Sequence, residues 1–419
     1  MIANADGSGE QKLAASTPET SFQIGPTWQV PPAWSPDGRT IACAVAITSR
    51  EIQYQAIWGF DVAGGAGRPL TAGQWQTVGR MEWLADGSGL LITAATEEAN
   101  PAQQVWFVAT SNSAARRITN DLNDYRDVSL TMDARTLVAV TTERKANIRI
   151  APAADVDQSS QLTFTNYDGT YGLSWTPDDK LIYTVQANGE QNLWLTDLNR
   201  NPPMQLTSHA GFNQRPNVSP DGRYVVFMSN RTGRQHLWRI DIDGKHPLEL
   251  THGESDSDPS ISPDSKWIVY DTRNREKHEL LRIGIDGGEP VRVTDTMSSY
   301  AIFSPDGKWL ALFYRAEPWA PNKIALMPFP GGPVRVIKDL PAHYGVFVWT
   351  VDGQGLAYSA KQGGGNIWIQ PIDGSPAMQL THEKTNPIVA FQWSRDGRRL
   401  AYASGSQTSD VVLISDLGR

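Results

Sequence analysis

The sequence predicts an all-β fold, a nine-bladed β-propeller of four-stranded antiparallel blades, and three observations support that prediction. A turn motif of the form Ser-Pro-Asp-Gly recurs at a near-constant spacing, short alternating strands follow it, and no long segment has apolar residues at helical spacing. The 419 residues include 36 Gly, 27 Pro and 15 Trp, a composition typical of short strands joined by tight turns. Eight or ten blades remain alternatives.

The clearest repeat lies at residues 216–243. Its turn, 219–222 (Ser-Pro-Asp-Gly), combines a proline that presets φ, an aspartate that hydrogen-bonds its own backbone and a glycine that accepts a left-handed conformation. The apolar run after the turn predicts a strand, and a second strand at 236–241 leads into the Asp-Gly pair of a tight hairpin. A short segment ending at Leu250 and Thr251 completes four strands.

The aspartate of the turn motif occurs nine times, with 42 to 49 residues between successive copies. The third residue before each aspartate is large and apolar, as a side chain between neighbouring sheets must be. The nine aspartates are Asp37, Asp86, Asp133, Asp178, Asp221, Asp264, Asp306, Asp352 and Asp396. The predicted blades are 21–72, 73–120, 121–165, 166–209, 210–253, 254–295, 296–339, 340–382 and 383–419.

The two chain ends predict how the ring closes. Residues 5–13 have the form of the end of a repeat, whereas 410–416 read as a third strand with no fourth strand after it. A circular array exposes two sheet edges at its seam, and open edges invite aggregation. We therefore expect a strand at about 10–15 to complete the ninth blade, so that residues 1–419 form a single propeller.

Composition narrows the classes of partner. The net charge of −8 argues against nucleic acid, because a phosphate backbone needs a basic face. The single cysteine, Cys43, excludes an internal disulfide and leaves the compartment open. No signal peptide and no membrane segment are recognisable, so we expect a soluble chain, and a monomer.

The repeat, with Trp-Ser-Pro-Asp-Gly before a strand, Ile-Trp in the third strand and Leu-Thr in the fourth, resembles the PD40 or TolB-like (WD40-like) propeller repeat. Residues 120–125, 173–178, 393–397 and 408–415 also resemble the C-terminal propeller of bacterial multidomain serine/threonine protein kinases. That resemblance implies a sensor or interaction domain of a signalling kinase or regulator. It implies an extracytoplasmic location if a kinase and a membrane span precede the propeller, and a cytoplasmic one otherwise.

Searches for catalytic motifs find none. The sequence lacks a Gly-x-Ser-x-Gly elbow, a His-Glu-x-x-His helix and a phosphate-binding Gly-x-x-x-x-Gly-Lys loop. Its seven histidines are spread over different repeats without ligand spacing, and the turn aspartates are explained by turn chemistry. We therefore expect no catalytic residue, no metal site and no cofactor.

A binding site is predicted at the mouth of the central channel. The first strand of each blade lines that channel, and the residue six positions before each motif aspartate varies between repeats, as a site would and a scaffold would not. Aromatic residues with arginine among them are typical of interface anchors. The alternative is that these side chains pack between blades and pair across the channel. The candidate residues are Arg80, Asp127, Tyr171, Arg215, Asp258, Tyr300 and Tyr344.

The sequence thus favours a non-catalytic propeller that binds a protein, peptide or small-molecule ligand. One alternative is a hydrolase or lyase whose carboxylates, Asp127 and Asp258, converge in the channel. Another is a structural assembly module.

Overall fold

The structure is a computed structural model, and it consists of β-strands joined by turns. It describes residues 3, 6, 8–15, 20–22, 24–25, 28–48, 53–64, 67–71, 73, 75, 77–96, 103–120, 123–131, 133, 135–165, 167–187, 190–199, 201–208, 211–273, 278–316, 323–339, 344–360 and 365–415. Within those residues no helix is long and apolar enough to span a membrane.

The described strands are numbered in chain order. The first twelve are β1 (Thr20–Phe22), β2 (Ile24–Gly25), β3 (Trp28–Gln29), β4 (Ala33–Trp34), β5 (Thr40–Thr48), β6 (Gln53–Asp61), β7 (Arg68–Pro69), β8 (Thr77–Trp83), β9 (Gly89–Ala95), β10 (Gln104–Ala109), β11 (Ala115–Arg117) and β12 (Asp124–Leu130). The next twelve are β13 (Thr136–Pro152), β14 (Ser160–Gln161), β15 (Leu173–Trp175), β16 (Leu181–Ala187), β17 (Glu190–Thr196), β18 (Met204–Gln205), β19 (Asn213–Val218), β20 (Tyr224–Ser229), β21 (His236–Asp241), β22 (Leu248–Glu249), β23 (Asp256–Ile261) and β24 (Trp267–Arg273). The last twelve are β25 (His278–Gly284), β26 (Gly287–Arg292), β27 (Met297–Phe303), β28 (Trp309–Arg315), β29 (Lys323–Pro328), β30 (Arg335–Asp339), β31 (Tyr344–Trp349), β32 (Gly355–Ala360), β33 (Asn366–Pro371), β34 (Met378–Gln379), β35 (Ile388–Trp393) and β36 (Arg399–Ser415).

The turn motif builds the hairpin between the first two strands of a sheet. The Ser219 hydroxyl donates to Asp221 Oδ1 at 2.6 Å and accepts the Tyr224 N–H at 2.9 Å, while Gly222 has φ 74°. The same Ser/Thr-to-Asp hydrogen bond recurs in seven of the other eight copies, for example at Ser304 and Asp306, and at Asp86 the hydroxyl comes from Ser88 instead. The structural role that the sequence gives to these aspartates is confirmed at these turns, because each carboxylate is used locally.

The chain divides into two compact units. Unit 1 comprises Met1–Glu143 and Gln407–Arg419, and unit 2 comprises Arg144–Ser406. Unit 1 contains a sheet ordered β1-β5-β6-β7 with β4 beside β5, a sheet ordered β11-β10-β9-β8, the small β2-β3 sheet, and the pairing of β12 with the first part of β13. The unit boundary falls inside both 17-residue strands, β13 and β36.

Unit 2 is a ring of six four-stranded antiparallel sheets. Five consist of consecutive strands, β15–β18, β19–β22, β23–β26, β27–β30 and β31–β34, and the sixth is ordered β35-β36-β13-β14. Each sheet contacts the next, and β15 of the first sheet contacts β35 of the last. A cluster of buried apolar side chains fills every one of the six junctions. At the last junction the indole of Trp175 is buried and its Nε1–H donates to the Gln392 carbonyl oxygen at 3.0 Å.

The predicted β-propeller class is confirmed, but a ring of nine blades is not. Residues 10–15, expected to complete the last blade, contain no strand, and β36 instead lies between β35 and β13. The physical reason is that 399–415 is one continuous strand beside 136–152, so β13 takes the place that was expected for a strand at 10–15. The other blade limits remain predictions.

Candidate functional site

Three consecutive first strands of unit 2 contain a β-bulge at the same repeat position. The register shifts between Gln214 and Asn217 in β19, between Ser257 and Ser260 in β23, and between Ser299 and Ile302 in β27. The residues within the three bulges that have left-handed backbones are Arg215, Asp258 and Tyr300, with φ of 53°, 50° and 52°. A non-glycine residue in this conformation costs about 1–2 kcal/mol, so the surrounding structure must hold it there.

Each of these strained residues is held through its backbone N–H by the preceding sheet. The Arg215 N–H donates to the Tyr171 carbonyl oxygen at 2.8 Å, and the Asp258 N–H donates to Met228 Sδ at 3.4 Å. The Tyr300 N–H lies 2.9 and 2.8 Å from the two carboxylate oxygens of Asp271. The three acceptors differ chemically, yet each fixes the same backbone position.

The three side chains line one cavity of about 540 Å³ in unit 2, to which the first strands of all six sheets contribute. We call this cavity the channel and refer to Arg215, Asp258 and Tyr300 as the mouth residues. The turns that follow the first strands β19, β23 and β27 line the opposite end of the channel, through Pro220, Pro263 and Pro305. The first sheet has Gly172, with φ 119°, at the position equivalent to the mouth residues.

The mouth combines a cation, an anion and a phenol. Arg215 Nε lies 3.4 Å from Asp258 Oδ1, and the two side chains are 39% and 24% exposed. The Tyr300 ring is half-buried against Phe313 and Phe347, with centroids at 5.8 and 5.0 Å, and burial raises the pKa of its hydroxyl. The mouth is therefore polar on one side and aromatic on the other.

Asp271 lies behind the mouth as a buried carboxylate. Burial, and after it the nearby charge of Asp258, raises the pKa of Asp271 well above its ordinary value. Both of its oxygens contact the Tyr300 N–H, so its role in this geometry is to position the bulge. Asp271 could not be recognised from the sequence, because nothing in its local pattern marks it as a partner of the next sheet.

The far end of the channel has a feature of its own. Arg395 stands at a turn position where five of the nine motif copies have proline. Its Nη2 donates to the Val218 carbonyl oxygen at 2.8 Å, and the residue lines the channel. Burial lowers the pKa of Arg395. The departure from Ser-Pro-Asp-Gly to Ser-Arg-Asp-Gly was visible in the sequence, and it marks this side chain as a channel residue.

The structure brings some of the predicted site residues together and separates others. Tyr171 contributes its carbonyl oxygen, but it is not among the described residues that line the channel. The side chain of Tyr344 lies outside the described part of the chain. Arg80 and Asp127 belong to unit 1, where Arg80 Nε lies 3.7 Å from Asp127 Oδ1.

The enzyme alternative depended on Asp127 and Asp258. Asp127 belongs to unit 1 and Asp258 to unit 2, and each lies beside an arginine of its own unit. Cys43, the one thiol, is not a ready nucleophile, because burial raises its pKa to about 11. These contacts favour ion pairing and a protonated thiol over acid–base or nucleophilic chemistry at these residues.

Known proteins resemble this chain over parts of its length. Residues 169–327, which lie within unit 2, match the family model of the TolB beta propeller domain (PD40). An uncharacterized protein of Agrobacterium fabrum is 32% identical over 83 residues, which are 20% of this chain and 28% of that protein. The Tol-Pal system protein TolB of Bordetella pertussis is 32% identical over 63 residues, which are 15% of this chain and 12% of that protein.

Among solved structures, TolB from Acinetobacter baumannii is 16% identical, with a TM-score of 0.48, over 80% of this chain and 81% of that one. The chain matches less than a third of the length of each of the two curated relatives. The resemblance inferred from the turn motif is confirmed to the extent that residues 169–327 match the TolB beta propeller domain model.

Proposed function

We propose that unit 2 binds a peptide segment of a partner protein at the channel mouth formed by Arg215, Asp258 and Tyr300. The observation that supports this most directly is the left-handed backbone at three neighbouring mouth residues, none of which is glycine. Glycine adopts such a backbone without strain, so a scaffold with no use for these side chains would favour glycine at these positions.

The chemistry of the mouth suits a peptide. A partly exposed Arg215–Asp258 pair offers the Nη–H donors of the guanidinium and a carboxylate to backbone amides or charged side chains, and the Tyr300 ring offers a flat apolar surface. Because the bulges are held by hydrogen bonds from neighbouring sheets, little ordering cost arises when a partner binds. A relative named as a Tol-Pal system protein is consistent with a protein partner.

We further propose, on the kinase-associated resemblance, that such a propeller serves as the sensor or interaction domain of a signalling kinase or regulator. In that arrangement the channel mouth binds a peptide, and binding changes the activity of the attached domain. The chain would act as a monomer, because unit 2 of a single chain supplies all the residues of the mouth.

The test is a peptide-display selection on the immobilised full chain, followed by affinity measurements on the enriched peptides. The variants Arg215→Gly and Asp258→Gly remove a mouth side chain while allowing the left-handed backbone. We expect each to weaken binding at least about tenfold, as the loss of an interface anchor does. Arg292→Ala is the matched control. Arg292 lies on the edge strand β26, pairs with Asp295 and Glu279, and is not among the described residues that line the channel.

Unchanged affinity in both glycine variants would refute binding at the mouth. Equal losses in the Arg292→Ala control would also count against it, since they would show a general effect of removing positive charge.

A further inference from the structure

The sequence predicts no metal site, yet β21, β22 and the loop after them bring two histidines and a glutamate together. His236 begins β21, Glu249 ends β22, and His252 follows three residues later. One ligand atom from each residue lies within 4.8 Å of the other two, and the two imidazole rings are 6.0 Å apart. His236 is buried, Glu249 is half-buried and His252 is exposed, so the cluster opens to solvent on one side.

The hydrogen bonds of His236 place the Nδ1 lone pair of the neutral ring against a carboxylate oxygen, which is unfavourable without a positive charge. Its Nε2 lies 2.9 Å from the Gly253 carbonyl oxygen, which can only accept, so Nε2 carries the proton. In the neutral ring Nδ1 then presents a lone pair, and it faces Glu249 Oε1 at 2.6 Å. Two acceptors at that distance need a shared positive charge, either a second proton between them or a cation that both atoms contact from one side.

The neighbouring polar groups already orient the cluster. The Thr232 hydroxyl donates to Glu249 Oε1 at 2.8 Å, and the Gly253 carbonyl fixes the tautomer of His236. Metal-binding histidines commonly donate their other N–H to a carbonyl in this way, and metal-binding carboxylates are commonly hydrogen-bonded. The arrangement therefore has both ligands and the groups that hold them.

Sister sheets show that the fold does not require these residues. The sheet before places Asn192 and Gln205 at the equivalents of His236 and Glu249, and the Asn192 oxygen accepts the Thr207 hydroxyl at 3.1 Å. A later sheet repeats this with Asn366 and Thr381 at 3.0 Å. Neutral amides thus satisfy the strand edge in those two sheets, and only the β19–β22 sheet, among those described, has two imidazoles and a carboxylate there.

We propose that His236, Glu249 and His252 bind a divalent transition metal, with Zn²⁺ as the best fit. Two imidazole nitrogens and one carboxylate oxygen are a ligand set that zinc accepts, and three protein ligands leave a fourth position for water or for a group from a partner. The site lies at the edge of its sheet, and none of its three residues lines the channel.

The experiment titrates the full chain, without a histidine tag, with Zn²⁺ by calorimetry and with Co²⁺ by visible absorption. We expect about one equivalent to bind and the absorption to indicate tetrahedral Co²⁺. The test variant carries His236→Asn, Glu249→Gln and His252→Ser, the residues of the preceding sheet at these positions. Because that sheet folds with the same three residues, this variant should keep its secondary structure and lose at least about 90% of the affinity.

His246→Ala is the matched control, because His246 Nδ1 also faces a carboxylate, Asp241 Oδ2 at 2.7 Å, but belongs to no three-residue cluster among the described residues. It should bind Zn²⁺ as the wild type does. A wild-type chain that binds neither ion would overturn the proposal and identify an imidazolium–carboxylate pair instead. Equal Zn²⁺ affinity in the triple variant would overturn it as well, since the ion would then bind elsewhere.

Discussion

Two arginine–aspartate pairs occupy matching repeat positions in the two units, and they differ in backbone and surroundings. In unit 1, Arg80 and Asp127 are 42% and 59% exposed, and neither is among the described residues with positive φ. In unit 2, Arg215 and Asp258 are closer together and less exposed, and both have left-handed backbones that aim their side chains into the channel.

The difference shows that repeat position and residue type do not by themselves make a site. Exposed ion pairs contribute about 0–1 kcal/mol, and the unit 1 pair needs no further explanation. In unit 2, hydrogen bonds from the preceding sheet hold each bulge, and that support turns an ordinary pair into part of a preorganised surface.

Gly405→Ala should disrupt the pairing of β36 with β13, on which the sixth sheet of unit 2 depends. A Cβ at this position would overlap the Lys145 carbonyl oxygen and come within 2.7 Å of Ala146 Cα, so β36 and β13 would have to separate. We expect the free energy of unfolding to fall by at least about 3 kcal/mol, as for a forced backbone shift in a packed core. Urea denaturation measures the loss, and hydrogen exchange should show it first in 144–152 and 399–406.

Ser406→Ala, one residue along the same strand, is the control and should change stability by less than about 0.5 kcal/mol. A Gly405→Ala chain as stable as the wild type would mean that β13 does not hold β36 in place. Deletion of residues 1–15 should leave the exchange of 144–152 unchanged.

Asp271→Asn tests the anchor behind Tyr300. Because the pKa of Asp271 is raised in the folded state by burial and by Asp258, the wild type loses stability as pH rises from the ordinary carboxyl pKa through the folded value. Asparagine keeps an oxygen for the Tyr300 N–H without the charge. We expect the variant to be more stable by about 1–3 kcal/mol at neutral pH, with the advantage lost by about pH 3.

Thermal unfolding across this pH range measures the effect. Asp243→Asn is a control of opposite sign, because a hydrogen bond from Lys245 lowers the pKa of exposed Asp243 and its charge favours the folded state above that pKa. A constant difference between Asp271→Asn and the wild type at every pH would show that Asp271 does not titrate differently in the two states.

Glycine substitutions compare the two arginines directly. At Arg215 the relief of a left-handed backbone, about 1–2 kcal/mol, offsets the greater unfolded-state entropy of glycine, about 0.5–1 kcal/mol. Arg80 has no such strain to relieve. We expect Arg215→Gly to change the free energy of unfolding by less than about 1 kcal/mol and Arg80→Gly to lower it by about 1 kcal/mol. Equal losses in urea denaturation would remove the backbone distinction between the pairs.

The sequence could predict the parts of the fold that depend on local chemistry. Turn residues such as Ser219 and Asp221 bond to each other within a few positions, so their pattern is visible in a short window. The position six residues before each aspartate was also predictable, and at Arg215, Asp258 and Tyr300 it does line the channel.

Long-range pairing could not be predicted in the same way. Alternating side chains show that 399–415 can form a strand, but they do not say that 136–152 is its neighbour. The anchors Met228 and Asp271 act across a sheet junction, and the cluster of His236 and Glu249 forms only when β21 and β22 pair. These contacts join residues whose spacing in the chain has no characteristic pattern.

The backbone anchoring of the bulges affects how the channel mouth can change by substitution during evolution. The acceptors that fix positions 215, 258 and 300 bond only to the backbone N–H. The side chain at each position can therefore be exchanged while it still points into the channel. Proline is barred because it has no N–H to offer, and the left-handed backbone disfavours β-branched residues. A new specificity can therefore arise by single substitutions on an unaltered frame.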